Sequence, residues 1–333
     1  MLIKYPFISI IIINFNDNNF LKTCLDSLLK IDYPRYEIII VDCLTVEIEK
    51  FINLNYNNSI KLIHFDYNIG PSECHNIGVN NAKGKYIVFL DNDVKVSRLW
   101  LKELIKVIFI EKNIAVAQSK ILLDIDKTKF DCSGGFLDKF GFAFQRGWLE
   151  LDKNQYEKVE EIFYAKGATM IVNKEIFKKI NGFDKTFFFY YDETDFCWRI
   201  LLSGYKILYA PKSIAFHNVG MKERFSSKRT FHYTKNHIMT LIKNYNLKNI
   251  ITTVPLVYFF YLSTFIIYIK RKRRNDGFAI LKGLLWNLRE FKKIWAQHQY
   301  VQHLIRKKGD FYINQKMIQY PLFFYSFRKI LHI

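Results

Sequence analysis

Four short apolar runs in the first 91 residues each stop at an acid or an amide, and this repeat constrains the fold more than any other feature. Phe7 to Ile13 stops at Asn14 and Asn16, Glu37 to Val41 at Asp42, Ile60 to Phe65 at Asp66 or Asn68, and Lys85 to Leu90 at Asp91 and Asp93. Helical patterns lie between the runs. Asp17 to Lys30 carries Phe20, Leu21, Cys24, Leu25 and Leu28 at helical spacing, with Asp17 as N-cap. Gly70-Pro71 opens a second helix that runs to about Ala82, with proline at a favoured first-turn position. Ser97 caps another, and Ile114 to Leu122 reads as a further strand. Strands alternating with helices predict an α/β fold with a parallel sheet. The first run is so continuously apolar that burial on both faces is expected. The C-terminal ends of parallel strands share one edge, where α/β folds bind ligands.

The rhythm changes after about Asp124, where FDCSGGFLDKFGFAFQRGW has the glycine punctuation of hairpins or a loop insertion. Helices return at Lys174 to Ile180 and Asp192 to Leu202, followed by a strand over Lys206 to Tyr209. The N-terminal apolar run is short and leads into Asn14 and Asn16, which favours a buried strand over a signal peptide. Five widely spaced cysteines with no CxxC pair argue against a disulfide framework or a zinc site and fit a reducing compartment.

The net charge of +19 is not spread evenly. Residues 1–221 hold 28 Lys and Arg against 27 Asp and Glu, whereas residues 222–333 hold 22 against 4. That C-terminal third is also the most hydrophobic, a pairing that suits an anionic membrane surface and not nucleic acid. Residues 250–269, IITTVPLVYFFYLSTFIIYI, carry no charge and run into KRKRR. The expectation is an interfacial or re-entrant element, with a single crossing or a packed helix as alternatives. Basic flanks on both sides would keep both ends on the cytoplasmic face. Phe278 to Trp295 and Tyr320 to Ile333 read as surface-lying amphipathic helices.

Neither GxGxxG after the first strand nor GxxxxGK[ST] anywhere is present, which disfavours a dinucleotide dehydrogenase and a P-loop enzyme. Asp91-x-Asp93 suits a hard divalent cation, Mg²⁺ or Mn²⁺, whose remaining shell is completed by substrate phosphates. Taken alone, such a turn is more often a solvated loop. In YYDETDFCWR, Asp192, Glu193 and Asp195 occupy the first turn of a helix, where acids offset the helix dipole. Three carboxylates beside four aromatics exceed that need, so one is a candidate general base and another a partner for Arg199. His217 ends a strand as either a satisfied structural residue or a ligand of metal or phosphate.

Six strings in order, SIIIINFND, IIIVDC, NIGPSECHNIGVNNAKGKYIVFLDNDV, AKGATMIVNKEIFKKINGFD, YYDETDFCWRILLSGYKILYAP and AFHNVG, resemble glycosyltransferase family 2 and its rhamnosyltransferase-like branch. The likeness spans about residues 7 to 245. It implies a GT-A fold, a Rossmann-like α/β/α sandwich with a mixed, mainly parallel sheet, over residues 1–245; charge and hydropathy set off 246–333 as a membrane-associating helical region. It implies inverting transfer from a nucleotide-sugar donor to a hydroxyl of a glycan or lipid-linked glycan acceptor, in cell-surface polysaccharide or glycoconjugate synthesis. The family pattern makes Asp93 a metal ligand and turns Asp91 toward ribose or metal-bound water. It sets Asp42 on the base beside Asn14 and Asn16, and Gly70 and Asn76 against the nucleotide. Glu193 matches the general base, with Asp192 as its rival. Asp42-Cys43-Leu44-Thr45 departs from the usual acidic pair followed by Ser. A nucleotidyl-transferring α/β enzyme and a non-catalytic membrane protein remain the rival readings at this point.

Overall fold

The computed structural model describes residues 5–56, 60–219 and 226–319. The helix expected over Tyr320 to Ile333 lies outside them. The chain forms two compact units, one of Met1–Gly135, Gln145–Phe188 and Tyr205–Val219, the other of Phe136–Phe144, Phe189–Gly204 and Gly220–Ile333.

The strands are β1 (Ile8–Phe15), β2 (Tyr36–Cys43), β3 (Ile60–Phe65), β4 (Tyr86–Asp91), β5 (Val94–Val96), β6 (Ile114–Leu123), β7 (Phe130–Cys132), β8 (Gly135–Leu137), β9 (Ala143–Gln145), β10 (Glu160–Glu161), β11 (Thr169–Asn173) and β12 (Lys206–His217). The main sheet has the order β10-β12-β6-β11-β4-β1-β2-β3. β3, β2, β1 and β4 are parallel, as expected from the alternating pattern. β11 runs antiparallel between β4 and β6, and β12 is parallel to β6, so the sheet is mixed. β1 sits in the middle of the parallel set with Ile8 and Ile10 to Ile12 fully buried, which explains its unbroken apolar run.

In the first unit the helices are α1 (Asn19–Leu28), α2 (Ile48–Tyr56), α3 (Pro71–Asn81), α4 (Trp100–Ile108) and α5 (Lys174–Lys179). α1 buries Leu21, Cys24, Leu25 and Leu28, while Phe20, at its N-terminal end, stays exposed. α1 starts at Asn19, so Asn18 and not Asp17 stands at its N-cap, although Asp17 Oδ1 does accept the Phe20 amide at 2.9 Å. Ser97 is not the cap of α4: its carbonyl accepts the Trp100 amide at 3.0 Å, and its own amide bonds Ile214. Gly70 stands at the N-cap of α3 with Pro71 next, and its φ of +85° is one that side-chain-bearing residues rarely adopt.

The strand expected to end at Tyr209 continues to His217. Pro211 has no amide to give the ladder, and the register with β6 shifts between Ala210 and Ile214, after which pairing resumes. The second unit is helical: α6 (Asp192–Leu202), α7 (Ser227–Asn244), α8 (Leu247–Lys270), α9 (Arg274–Arg289), α10 (Phe291–Tyr300) and α11 (Asp310–Gln315). α7 lies within it, buried from Thr234 to Asn244.

Candidate active site

Strand register sets the ligand edge of the first unit. Asn14 lies opposite Asp42 and Asp42 opposite His64, and Asp91 lies opposite Ile13, one residue short of that row, so these strands deliver their polar residues to one edge. β5 then pairs antiparallel with the end of β12, matching Val94 to His217, and the Asn218 amide donates to the Asp93 carbonyl at 3.0 Å. This pairing carries His217 to the acidic turn. One ligand atom from each of Asp91, Asp93 and His217 falls within 4.8 Å of the others.

The imidazole of His217 is buried between two carboxylates. Nδ1 is 2.8 Å from Asp131 Oδ2 and Nε2 is 3.3 Å from Asp93 Oδ1. Burial disfavours its charged form, as does Lys166, but hydrogen bonds to Asp131 and Asp93 outweigh both and push its pKa up to about 9. Asp131 is fully buried and also accepts from Lys166 Nζ at 2.5 Å. Burial raises its pKa, yet Lys166 and His217 prevail and hold it down to about 2. Sequence reasoning did not single out Asp131 or Lys166: they lie in the stretches FDCSGGFLDKFGFAFQRGW and AKGATMIVNKEIFKKINGFD, where neither residue carries an assigned role.

The other expected nucleotide residues take distinct positions. Asp42 is fully buried; its Oδ1 accepts from Asn14 Nδ2 at 2.7 Å and Thr45 Oγ1 at 2.5 Å. Its Oδ2 accepts the Thr45 amide at 3.2 Å and faces His64 Nδ1 at 2.8 Å. Asn14 Oδ1 in turn accepts from Asn92 Nδ2 at 2.6 Å, tying strand two to the acidic turn. Asn16 is exposed, with φ +49°. A Cβ on Gly70 would lie 2.6 Å from the Phe188 ring. Asn76 clamps the backbone of Phe183, donating to its carbonyl at 2.8 Å and accepting its amide at 3.0 Å.

The acidic cluster belongs to the second unit. Asp192 is buried, Glu193 half-buried and Asp195 fully buried, all in the first turn of α6. Asp195 Oδ2 takes Arg199 Nε and Nη2, both at 2.9 Å, and Lys243 Nζ at 3.1 Å; its Oδ1 takes Asn244 Nδ2 at 2.9 Å. Arg199 thus pairs with an acid of the cluster, as expected. Tyr190 and Tyr191, just before α6, have φ of +65° and +66°. Bulky residues avoid this region, and each such residue costs about 1–2 kcal/mol. Asn236 Nδ2 holds the turn by donating to the carbonyls of Phe189 and Tyr190 at 2.6 and 2.8 Å, and the Tyr191 hydroxyl donates to the Gly141 carbonyl.

A mixed sheet whose acidic C-terminal edge gathers two carboxylates and an imidazole defines a nucleotide-binding α/β enzyme of the GT-A class. Residues 9–180 match glycosyl transferase family 2, and the chain belongs to that family. It is a glycosyltransferase, moving a sugar from a nucleotide-activated donor to an acceptor with the inversion typical of the family. Residues 149–223 also match a family described as the N-terminal domain of galactosyltransferase. Among curated relatives, rhamnosyltransferase WbbL of Escherichia coli (strain K12) is 26% identical over 239 residues, which are 67% of this chain and 88% of that protein. The pre-mycofactocin glycosyltransferase of Mycobacterium tuberculosis (strain CDC 1551 / Oshkosh) is 22% identical over 186 residues, 54% of this chain and only 37% of that protein. Two solved structures share the fold. GalNAc-T7, solved with UDP, GalNAc and Mn²⁺, has a TM-score of 0.65 at 16% identity, covering 96% of this chain and 59% of that one. The mannosyltransferase PcManGT of Pyrobaculum calidifontis, solved with GDP-Man and Mn²⁺, has a TM-score of 0.54 at 13% identity, covering 90% and 86%. Family membership displaces both rival readings from the sequence.

Proposed function

We propose that residues 1–245 catalyse metal-dependent inverting transfer of a sugar to a hydroxyl of a glycan or lipid-linked glycan, in cell-surface polysaccharide or glycoconjugate synthesis. The observation that carries the metal reading is the meeting of Asp91, Asp93 and His217 ligand atoms within 4.8 Å. Two hard carboxylates and one imidazole fit Mg²⁺ or Mn²⁺, and leave room for phosphate oxygens to complete the shell. When bound, the cation offsets charge developing on the departing nucleoside diphosphate. In this reading Asp93 and His217 hold it directly and Asp91 faces ribose or coordinated water. Asp42 acts on the base side through the Asn14 and Thr45 network that it orders, with Asn16 beside it. Gly70, at the start of α3, and Asn76, which fixes the backbone at Phe183, lie against the nucleotide.

Glu193 accepts the proton of the attacking acceptor hydroxyl. It is the most exposed of the three clustered acids, whereas Asp195 is committed to Arg199, Lys243 and Asn244. Asp192, buried, is the alternative. No enzyme nucleophile is needed for inversion. A thermal-shift screen of nucleoside diphosphates and nucleotide sugars, each with Mg²⁺ or Mn²⁺, tests the reading; absence of cation-dependent stabilisation by every nucleotide overturns it.

Residues 246–333 would hold the enzyme at the cytoplasmic face of a membrane. α8 is long and apolar enough to cross a membrane, yet one stripe of it, Val254, Val257, Phe260, Tyr261 and Thr264, is buried in its own unit. The opposite stripe, with Ile251, Leu256, Phe259, Leu262 and Ile266, is exposed beside the basic run 270–274. A helix with one side on protein and an apolar side open suits lying in the interface, where lysines and arginines meet anionic headgroups. Phe259→Glu with Ile266→Glu is expected to abolish co-sedimentation with anionic vesicles; full retention on the vesicles excludes this face as the anchor.

A further inference from the structure

We propose that Asp131 is a positioning residue for His217: it holds the proton on Nδ1 so that Nε2 faces Asp91 and Asp93. The inference rests on the metal reading above and adds to it residues that no motif assigns.

Three observations carry it. The imidazole is gripped on its two sides by different carboxylates, Nδ1 at 2.8 Å from Asp131 Oδ2 and Nε2 at 3.3 Å from Asp93 Oδ1. Asp131 therefore stands behind the ring, on the side away from the ligand cluster, and its atoms are not part of that cluster. Second, Asp131 is fully buried on the short strand β7, where a carboxylate costs several kcal/mol unless it is paired. A backbone carbonyl or an Asn would accept one N–H without that cost. Third, the cost is met by a dedicated counter-ion: Lys166 Nζ lies 2.5 Å from the same Oδ2 that accepts from His217.

The chemistry follows from the two nitrogens of imidazole. A neutral ring offers one N–H and one lone pair, and the acceptor on one side decides which nitrogen carries which. A carboxylate at Nδ1 keeps the proton there, leaves the Nε2 lone pair for a cation, and raises the basicity of that lone pair. Lys166 keeps Asp131 anionic and supplies a positive charge next to a site that already holds two carboxylates. The rival account is a purely structural tie between β7, the end of β12 and the segment before β11.

The test uses the full-length chain and Mn²⁺ titrated in the presence of UDP, GDP or dTDP in turn, with free Mn²⁺ read by electron paramagnetic resonance. Asp131→Leu together with Lys166→Met removes the Nδ1 acceptor and both halves of the ion pair at constant net charge, so a loss of affinity is not a net-charge effect. Mn²⁺ affinity is expected to fall about 10- to 100-fold, the usual consequence of losing such an outer partner, with kcat recovering as Mn²⁺ is raised. Wild-type affinity within about twofold in a variant with native near-ultraviolet dichroism overturns the positioning role, since a structural tie alone predicts that result. Absence of Mn²⁺ binding by the wild type with every nucleotide overturns the metal reading and this inference with it. A second measurement needs no variant. Nitrogen-15 spectra of histidine-labelled wild type with Mg²⁺ and the nucleotide that binds are expected to give Nδ1–H on His217, and an Nε2–H tautomer refutes the proposal.

Discussion

Replacing Asp195 by Asn separates two roles that one short acidic motif combines. Asp195 is fully buried, and Arg199 and Lys243, its cationic partners, are themselves almost completely buried. Oδ2 accepts three N–H groups from these cations and Oδ1 accepts one from Asn244. Every group facing the carboxylate is thus a donor. An Asn side chain must point its own NH₂ at one side or the other, so at least one donor meets a donor whichever way the amide turns. Two buried cations also lose their counter-charge. Breaking a buried ion pair from one side costs about 3–5 kcal/mol. In a unit of this size each kcal/mol moves the midpoint by about 2–4 °C, so Asp195→Asn is expected to melt on the order of 10 °C below wild type. Glu193→Gln is the control. It loses a favourable charge at a helix N-terminus, worth about 0.3–1 kcal/mol and a midpoint shift of about 1–3 °C. Its turnover is expected to fall about 10²- to 10⁴-fold if Glu193 is the base. Far-ultraviolet dichroism melts and a nucleotide-release assay on both variants decide the matter. If Asp195→Asn melts within about 2 °C of wild type, the ion network is not the structural element argued here. If Glu193→Gln keeps its turnover while Asp192→Asn loses it, the base is Asp192.

Further outcomes follow from the first unit and the basic run. Asp93→Asn is expected to erase the Mn²⁺ dependence of nucleotide binding in titration calorimetry; an unchanged gain on adding Mn²⁺ refutes its ligand role. Gly70→Ala places a Cβ 2.6 Å from the Phe188 ring at a φ of +85°, so a stability loss of about 1–2 kcal/mol or more is expected, and an unchanged urea midpoint contradicts it. Asn76→Ala removes both bonds to the Phe183 backbone and is expected to cost about 1–3 kcal/mol by the same measurement, wild-type stability being the contrary result. Neutralising Arg271, Lys272 and Arg274, while keeping Arg273 paired with Asp276, is expected to weaken binding to anionic vesicles about 100-fold, at about 1 kcal/mol per charge. Equal binding in sedimentation would show that headgroup attraction lies elsewhere.

The first strands and helices were legible because their signals are local. β1 to β4 end where the polar residues stand, α1 shows its apolar spacing, and α3 opens on Gly70-Pro71. What escaped was set by partners distant in sequence. Periodicity gave no warning of α7, because its buried face is Thr234, Lys235, Asn236, His237, Thr240, Lys243 and Asn244 as much as Ile238, Met239, Leu241 and Ile242. Such a face is stable only because its polar groups find partners. His237, for example, is kept neutral by burial, its pKa lowered to about 4, with Nε2 donating to the Phe140 carbonyl and Nδ1 accepting from the Tyr261 hydroxyl. β5 has three residues and no pattern, and Pro211 made the single strand β12 read as a run finished at Tyr209 and a separate one ending at His217. Those two elements are the ones that bring His217 to Asp93, so the histidine was visible as a candidate while the reason for its position was not.

The same logic explains why the two acidic motifs differ in how far sequence can read them. Asp91-x-Asp93 sits where β4 ends, and its half-buried carboxylates share one side of a turn, so residue type and place together suggest one chemistry. Asp192-Glu193-Thr194-Asp195 occupies one helical turn, where neighbours point in different directions. Asp195 falls on the side facing Arg199, one turn on, and is consumed in the core. Two aromatic residues with positive φ fix where that turn begins, and Asn236 on α7 holds their backbone in place. The direction of each acid is therefore decided by a strained turn and a distant amide. A sequence motif can count the acids; only the packing of α6 against α7 distributes them between structure and chemistry.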